Sequence, residues 1–460
     1  MAAATASAST RVDLDDLQGL VVFRRPAPYW GSVFLLEVQD PLRARQSIAR
    51  LLPLVVSAAE WAGGCRDVSV ALALTGPGLR ALGVAEDSLA SFPDQLRQGM
   101  AARAEQLHDT GDSSPEHWDA PFGTGRIHLI VSVTAGGAEL WQEKRRSVLA
   151  EAADSGLAIL DEIQLQAHPG MRTNFGYRDG LSFPNIAGLP GSPITTPEPA
   201  IATGEFLLGH PGEAGVTQPV PIPTALGRNG TYLGLRKVHT HVAAFRRFLA
   251  DHAPDPDGQE ELAAKLLGRW RSGAPLMLAP HGDDPELAAD PARVNAFGYA
   301  DDPRGLVCPL GAHTRRVNPR DSPLKTLTDV RIHRLVRFGA VYGPPLPDGS
   351  LVDDGADRGL YFMFLSARPD TLEFLKGAWI DDGGFVGLGD ERDPVAGRND
   401  AGTYTIPALP IRNRLHGLSS FTTTRGGEYA FLPSLTALRW LTRSQPEDTT
   451  EQPKERSCSS

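Results

Sequence analysis

Short apolar blocks alternate with amphipathic stretches through the first 170 residues. The blocks are rich in β-branched residues and bounded by turn residues, which predicts strands at 19–23, 30–38, 68–74, 127–135 and 158–166. Apolar residues recur at helical spacing between them, which predicts helices at 42–61 and 136–155. This β-α-β and β-α-β order is typical of a ferredoxin-like fold. An open doubly wound sheet is disfavoured because no Gly-rich phosphate turn follows the first strand.

The same pattern returns in the second half of the chain. Two long segments rich in Gly and Pro, 168–230 and 281–325, interrupt it. Strands are predicted at 231–237, 335–338, 360–367 and 429–431, and helices at 242–249, 260–270, 371–380 and 434–442. We therefore predict an α+β fold with two ferredoxin-like β-sandwich domains, 19–190 and 226–442, joined by a Gly/Pro-rich connection at 191–225. The N-terminus, 1–18, and the tail, 443–460, are predicted to be disordered.

Composition narrows the class of protein. A chain of 460 residues can hold two cores, since single cores rarely grow beyond roughly 250–300 residues. The net charge of −10 argues against a nucleic-acid partner. The chain contains no apolar run long enough to span a membrane and no secretory signal, so the cytoplasm is the expected location. Cys65, Cys308 and Cys458 are too few for a disulfide framework.

Candidate chemistry is concentrated in residues 308–320, which read Cys-Pro-Leu-Gly-Ala-His-Thr-Arg-Arg-Val-Asn-Pro-Arg. His313 lies among small and apolar residues, and three arginines follow it. Imidazole is a common axial ligand of haem iron, and guanidinium groups pair well with the haem carboxylates. Taken alone, this segment is better explained by a structural histidine than by a ligand.

Two further segments strengthen the ligand interpretation. These are Gly176-Tyr177-Arg178-Asp179-Gly180 and the stretch Arg-Phe-Gly-Ala-Val-Tyr-Gly at 337–343. Together with 308–320 they resemble the dye-decolorizing peroxidases, in particular the larger subgroup of fungal enzymes and their bacterial relatives. Segments at 174–184, 204–209, 268–276, 390–394 and 425–429 are also similar to that family. The resemblance implies a dimeric α/β-barrel-type fold, with haem b bound between the sheet and the helices of the C-terminal domain.

The resemblance also implies roles for individual residues. Asp179 is expected to move a proton between the two oxygens of hydrogen peroxide, a task that one carboxylate can perform. Arg337 is expected to stabilise the charge that develops as the O–O bond breaks, with Arg334 as the alternative. His313 is the expected iron ligand, and Asp390 or Asp393 would hold its second ring nitrogen.

Other residues complete the expected site. Arg315 is expected to contact a haem propionate, and Leu360 and Phe362 are expected to line the pocket above the iron. The strand that carries these two is apolar on both faces, which is compatible either with core packing or with a flat cofactor on one side. Several alternatives stay open: a haem thiolate from Cys308, a metal site at His239 and His241, and electron relay through Tyr342 or Trp379.

The leading hypothesis is a haem peroxidase that reduces hydrogen peroxide and oxidises dyes, phenols or similar one-electron donors. The alternative is a non-catalytic haem-binding protein, or one that releases iron from haem. A third hypothesis, a cofactor-free ferredoxin-like binding module, predicts a colourless protein. No nucleic acid or membrane partner is expected. A homodimer, the physiological reductant and an encapsulating partner are left open.

Overall fold

The strands form one large antiparallel sheet and one small one. The computed structural model describes residues 12–22, 26–64, 67–153, 155–190, 196–322 and 329–443. Within these ranges eight strands make the large sheet, and two make the small one. The strands are β1 Trp30–Val38, β2 Val68–Thr75, β3 Leu129–Ala135, β4 Leu157–Gln166, β5 Thr231–Thr240, β6 Val336–Tyr342, β7 Gly359–Ser366, β8 Gly402–Ile406, β9 Asn413–Leu418 and β10 Thr422–Leu432.

Each half of the chain contributes four neighbouring strands to the large sheet. The strand order is β4-β1-β3-β2-β10-β5-β7-β6, so each half repeats the same arrangement, with its first strand between its fourth and its third. The halves meet where Leu74 and Thr75 of β2 pair with Phe431 and Ala430 of β10. The predicted α+β fold with two ferredoxin-like halves is confirmed. The domain boundaries 19–190 and 226–442 stay a prediction.

The large sheet curls round on itself, because β4 and β6 at its two ends lie in contact. Its inner face buries one apolar core, which includes Val33, Leu235 and Met363. In the first half the outer face is covered by helices, with Ile48 and Leu438 packed in a second core. The outer face of the second half is where the cavity described below lies.

Several helices, such as those that start at Pro41, Pro256 and Leu435, begin at side-chain caps that the sequence supplies. Asp255 accepts the N–H of Gly258 at 2.8 Å, and Pro256 opens the helix that follows. No helix in the described ranges is long and apolar enough to cross a membrane. The helices are α1 Pro41–Leu51, α2 Ala58–Ala62, α3 Gly76–Ala81, α4 Glu86–Ala90, α5 Asp94–Gln98, α6 Ala138–Ala152, α7 Thr224–Gly227, α8 Val242–His252, α9 Pro256–Leu267, α10 Pro285–Ala289, α11 His313–Val317, α12 Thr371–Phe374, with a π-helical turn Leu375–Ile380 after it, and α13 Leu435–Thr442.

Two predicted elements differ from the structure, and two observed strands were not predicted. The strand predicted at 19–23 is wrong, because Gly19–Val21 form a 3₁₀ turn. The helix predicted at 42–61 is interrupted after α1 by the turn Leu52–Leu54, where Pro53 removes a backbone donor. Strands β8 and β9 were not predicted, because the apolar positions along them are few.

The predicted disorder of 1–18 is wrong for residues 12–18. Leu17 is fully buried, and Gln18 Nε2 donates to the carbonyls of Leu72 at 2.9 Å and Pro433 at 2.8 Å. These contacts join distant parts of the chain, so a polar local sequence gives no sign of them. Residues 1–11 and 444–460, including Cys458, lie outside the described residues, as does Cys65.

A buried carboxyl on β10 makes stability depend on pH. Burial raises the pKa of Glu428 to about 7, above its ordinary 4.5. The folded chain therefore holds a proton that the unfolded chain loses above pH 4.5. The contribution of Glu428 to the free energy of unfolding is therefore highest below pH 4.5 and falls by about 3 kcal/mol as the pH rises to 7. We expect Glu428→Gln to remove this decline, measured by urea unfolding at pH 5 and pH 8. Parallel declines in both proteins would contradict the prediction.

Candidate active site

A cavity of about 340 Å³ lies against the outer face of the second-half strands, a size within the range of small-molecule sites. Alternate residues of neighbouring strands face it, as the pleat requires. The strands contribute Arg236, Val238, Thr240, Arg337, Val341, Leu360, Phe362, Thr422 and Thr424, and Gly359 at the start of β7 also lines the cavity. Helices and loops contribute the rest of the lining, including Asp179, Leu267, Arg269, His313, Val317, Leu375 and Ile380. The cavity therefore brings together Asp179, His313, Arg337, Leu360 and Phe362, whereas Arg315 is absent from its described lining.

His313 is the first residue of α11 and lines this cavity. Its Nδ1 lies 2.9 Å from Asp393 Oδ2 and 3.1 Å from Oδ1. A carboxylate at Nδ1 favours the tautomer that leaves Nε2 as a free acceptor for a metal. Of the two candidate carboxylates it is Asp393 that contacts the ring, while Asp390 is exposed.

Asp393 is fully buried and held as a carboxylate. Burial alone would raise its pKa, but the His313 ring, the N–H of Ala396 and the Arg316 charge outweigh burial and hold the pKa of Asp393 below its usual value. Its Oδ1 accepts the N–H groups of Val395 and Ala396, both at 2.8 Å. The His313 ring is thus oriented by a group that is itself fixed by backbone.

Arg316 ties α11 to the loop that carries Asp393. Its guanidinium is fully buried and donates to the carbonyls of Trp379 at 2.8 Å, Glu391 at 2.8 Å and Asp382 at 2.7 Å. Three carbonyls from two segments match the fork of donors that only arginine offers. These hydrogen bonds hold α11 against that loop and so keep His313 next to Asp393.

Gly268 lets α9 end against α11. It has φ +89°, the left-handed conformation that glycine adopts without strain. A Cβ at this position would lie 2.1 Å from Thr314 Oγ1, next to His313. A side chain at 268 would therefore force Thr314, the residue after His313, to shift.

Asp179 is held by a short hairpin. The N–H of Asp179 donates to the Met171 carbonyl at 3.0 Å, and that of Thr173 donates to the Tyr177 carbonyl at 2.8 Å. These bonds place Asp179 on the cavity wall. The Asp-Gly segment is therefore more than a local turn.

Arg337 lies on β6 and also lines the cavity. Within the described part of the chain it makes no hydrogen bond or ion pair, which is unusual for a half-buried guanidinium. Leu360 and Phe362 on β7 line the same cavity, whereas Tyr361 and Met363 pack into the inner core. The strand is apolar on both faces for this reason.

The expectation for Arg315 is wrong in its geometry. Its Nη1 lies 3.1 Å from Asp302 Oδ2 and donates to the Cys308 carbonyl at 2.7 Å. The guanidinium also covers the Tyr299 ring, 4.6 Å from its centre. Arg315 is absent from the described cavity lining because α11 turns it to the opposite side from His313. It stabilises the loop instead.

The cavity is strongly positive. In the sequence this charge is visible only as arginines scattered along the chain. Its described lining has one carboxylate, Asp179, and seven cationic side chains: Arg178, Arg236, Arg269, Arg320, Arg334, Arg337 and Lys376. Burial and the neighbouring Arg320 lower the pKa of Arg269 to about 10. Arg269 and Arg320 both lie in segments that the sequence had marked, but only the fold shows that they converge.

The first half of the chain also reaches the site. Asp109, from the segment between β2 and β3, forms a buried ion pair with Arg236 of β5, and Thr424 of β10 accepts from the same guanidinium at 2.7 Å. Arg236 faces the cavity. The position of Arg236 in the cavity wall therefore depends on both halves of the chain.

The two aromatic residues considered for electron relay are buried. Trp379 packs edge-on to His333, whose ring stacks on Phe374 at 3.8 Å and lines the cavity. Burial lowers the pKa of His333 to about 4, so its ring is neutral. The Tyr342 hydroxyl donates to Asp357 at 3.1 Å. Relay through either residue stays a hypothesis.

The remaining candidates have structural partners. His239 lies 3.2 Å from Asp357, and His241 lies 2.8 Å from Thr423 Oγ1. Among the residues described, no three His, Cys, Asp or Glu side chains are grouped as for a metal ion. Cys308 is buried, and burial raises the pKa of its thiol to about 12. This keeps the sulfur protonated and unsuited to act as a thiolate ligand.

Comparison with known proteins gives a consistent result. Residues 33–167 match a family model described as the DyP dimeric alpha+beta barrel domain. Peroxidase 2 of Mycetinis scorodonius is 30% identical, over 95% of this chain and 89% of its own length. The dye-decolorizing peroxidase msp1 of the same organism is 28% identical over the same shares. A solved dye-decolorizing peroxidase in complex with 2,6-dimethoxyphenol has a TM-score of 0.80 at 26% identity, covering 94% of this chain and 100% of its own. The likeness spans nearly the whole chain.

Proposed function

This chain belongs to the dye-decolorizing peroxidase family and is a peroxidase, and from that premise we propose that it uses haem b in the described cavity. We propose further that His313 ligates the iron, and that Asp179 and Arg337 act on hydrogen peroxide. The observation that carries the proposal is the convergence of these three side chains on one cavity, with Asp393 behind the histidine.

The cavity fits haem b in its chemistry. His313 offers Nε2 as a ligand, and Leu360, Phe362 and Ile380 offer apolar surface for a flat ring. The excess of guanidinium groups suits two propionates, and Arg320 and Arg334 are the proposed contacts in place of Arg315. When bound, haem b would supply the redox chemistry, taking two oxidising equivalents from peroxide and returning to rest with one electron from each of two donors.

Asp179 is proposed to move the proton. The carboxylate takes a proton from one peroxide oxygen and delivers it to the other, which then leaves as water. One carboxylate suffices because the proton lost and the proton gained are the same. Overall, peroxide, two electrons and two protons give two molecules of water, and the donors supply the electrons.

Arg337 is proposed to stabilise the charge on the departing oxygen. A guanidinium stays protonated throughout, so its charge is available at every pH at which the chain is folded. Its lack of a protein partner among the described residues leaves its donors free for peroxide. No reorganisation of an ion pair is then needed before the bond breaks.

Replacing Arg337 with Leu is expected to leave haem binding intact and to slow the reaction with peroxide roughly 10²–10³-fold, the usual cost of removing one such donor. Stopped-flow absorbance gives the bimolecular rate constant. Arg331→Leu is a matched control, since Arg331 lies six residues earlier and pairs with Glu213 and Asp329. An unaltered rate in Arg337→Leu would move the role to Arg334.

The proposed donors are dyes, phenols and similar bulky one-electron reductants. The solved relative in complex with 2,6-dimethoxyphenol supports phenols as a class. A cytoplasmic location and a homodimer stay predictions. The alternative, a haem carrier or iron-releasing protein, needs His313 but has no use for Asp179 and Arg337 on the same cavity.

The decisive experiment is to produce the full chain with a haem supply, record its absorption spectrum, and then add peroxide with a dye or phenol. We expect a histidine-ligated haem spectrum and turnover that depends on peroxide. A haem spectrum without turnover would favour the carrier, and a colourless protein after reconstitution would exclude a haem function.

A further inference from the structure

Glu198 places a carboxylate on the arginines at the edge of the cavity. Its Oε2 is bonded to Arg334 Nη1, and its Oε1 lies 3.5 Å from Arg320 Nη1. Oε1 also accepts from Asn318 Nδ2 at 3.4 Å. All three partners line the cavity, whereas Glu198 belongs to the connection between the two halves.

This carboxylate faces an unusually cationic environment. Arg320 and Arg334 are both buried, with side chains 5% and 9% exposed. Burial lowers the pKa of Arg334, and Arg320 and Arg337 add to that effect by repulsion. Without a counter-charge, two buried guanidinium groups this close would destabilise the fold. Glu198 supplies that counter-charge from outside the lining.

We infer that Glu198 takes the role of a haem carboxylate at Arg334 in the cofactor-free chain. When the cofactor enters, Glu198 must share Arg334 with a propionate or release it. The inference rests on the proposed function, because Arg320 and Arg334 are the guanidinium groups assigned there to the propionates. Two carboxylates on one guanidinium pair repel each other. Glu198 therefore stabilises the cofactor-free chain and weakens cofactor binding by the same interaction.

The test is haem affinity in Glu198→Gln, which removes the charge and keeps the size. We expect the variant to bind haem tighter by roughly 5–150-fold, the usual range for coupling between two sites. We also expect its cofactor-free form to melt at a lower temperature than the parent. Affinity is measured by titration of the Soret band, and melting by circular dichroism. Neither readout depends on turnover.

Haem dimethyl ester separates competition for the arginines from a general change of the cavity. Its propionates are esterified and carry no charge, so the gain in affinity of Glu198→Gln should disappear with this probe. Glu213→Gln is the matched control, because Glu213 lies on the same connection and pairs with Arg331 at 2.8 Å, away from the cavity lining. It should leave haem affinity unchanged.

The outcomes distinguish this inference from the proposed function. Equal or weaker haem binding by Glu198→Gln, in a parent that binds haem, would overturn the inference and leave the function standing. An equal gain with the dimethyl ester would also overturn it. A parent chain that binds neither probe would overturn both.

Discussion

Asp179→Asn is expected to slow the reaction with hydrogen peroxide by roughly 10²–10⁴-fold, the contribution typical of general acid–base catalysis. The substitution keeps size and polarity, and the backbone bond from Asp179 to Met171 does not involve the side chain. We expect fold and haem affinity to be retained, because asparagine has the same size and remains polar. What is lost is a group that can accept a proton from one oxygen and return it to the next.

The pH dependence supplies a second signature of the same residue. Asp179 must be ionised to accept a proton, so the parent should react with peroxide more slowly as acid protonates its carboxylates. Dye turnover can still favour mildly acidic conditions, because protons are consumed when the oxidised enzyme is reduced. The two steps should thus show opposite pH trends in the parent.

Stopped-flow mixing with peroxide across pH separates these steps. In Asp179→Asn the residual peroxide reaction should lose its acid limb, while reduction by the dye keeps its trend. Asp161→Asn is a suitable control, since Asp161 lies on β4 and outside the cavity lining. If Asp179→Asn reacted as fast as the parent, proton transfer would belong to Arg337 or to water.

His313→Ala is expected to abolish stable haem binding or to change the spin state of the haem that remains. The imidazole is the proposed axial ligand, and its removal also takes one hydrogen bond from the buried Asp393 carboxylate, which keeps the N–H groups of Val395 and Ala396. Loss of a hydrogen bond to a charged group costs about 1.5–3 kcal/mol, so the variant should also be less stable. The Soret band and the melting temperature record the two effects.

Added imidazole separates loss of the ligand from a general loss of fold. If the variant is folded, free imidazole can fill the space and restore a histidine-like spectrum. Asp393→Asn is the milder companion, expected to keep haem and to cost roughly 10–100-fold in affinity or activity, as for other partners of metal ligands. Full haem occupancy with an unchanged Soret band in His313→Ala would contradict the ligand assignment.

The sequence predicted most of the strands because their apolar blocks are short and well bounded. The sequence also predicted that Asp179, His313 and Arg337 share one site. They lie in separate loops and strands, and all three line the same cavity. The direction in which a side chain points was harder to predict. Arg315 lies two residues from His313 in a five-residue helix, and only the helical turn shows that it faces Asp302.

Contacts distant in the chain account for the other differences. Gln18 is ordered by backbone groups of Leu72 and Pro433, and Arg236 is paired with Asp109 across the two halves. Local composition does not reveal partners that are distant in the chain. For the same reason Glu198 could not be connected with Arg334, 136 positions later, before the fold was known.

Burial of Cys308 has a consequence for an enzyme that works in the presence of peroxide. Peroxide attacks thiolates, producing sulfenic acid and then irreversible higher oxides. Cys308 lies five residues before His313, but it has no solvent exposure, and its pKa of about 12 leaves almost no thiolate at neutral pH. The sulfur is therefore protected from the peroxide that the enzyme consumes. The loop that carries the proposed iron ligand therefore has no reactive thiolate at this position.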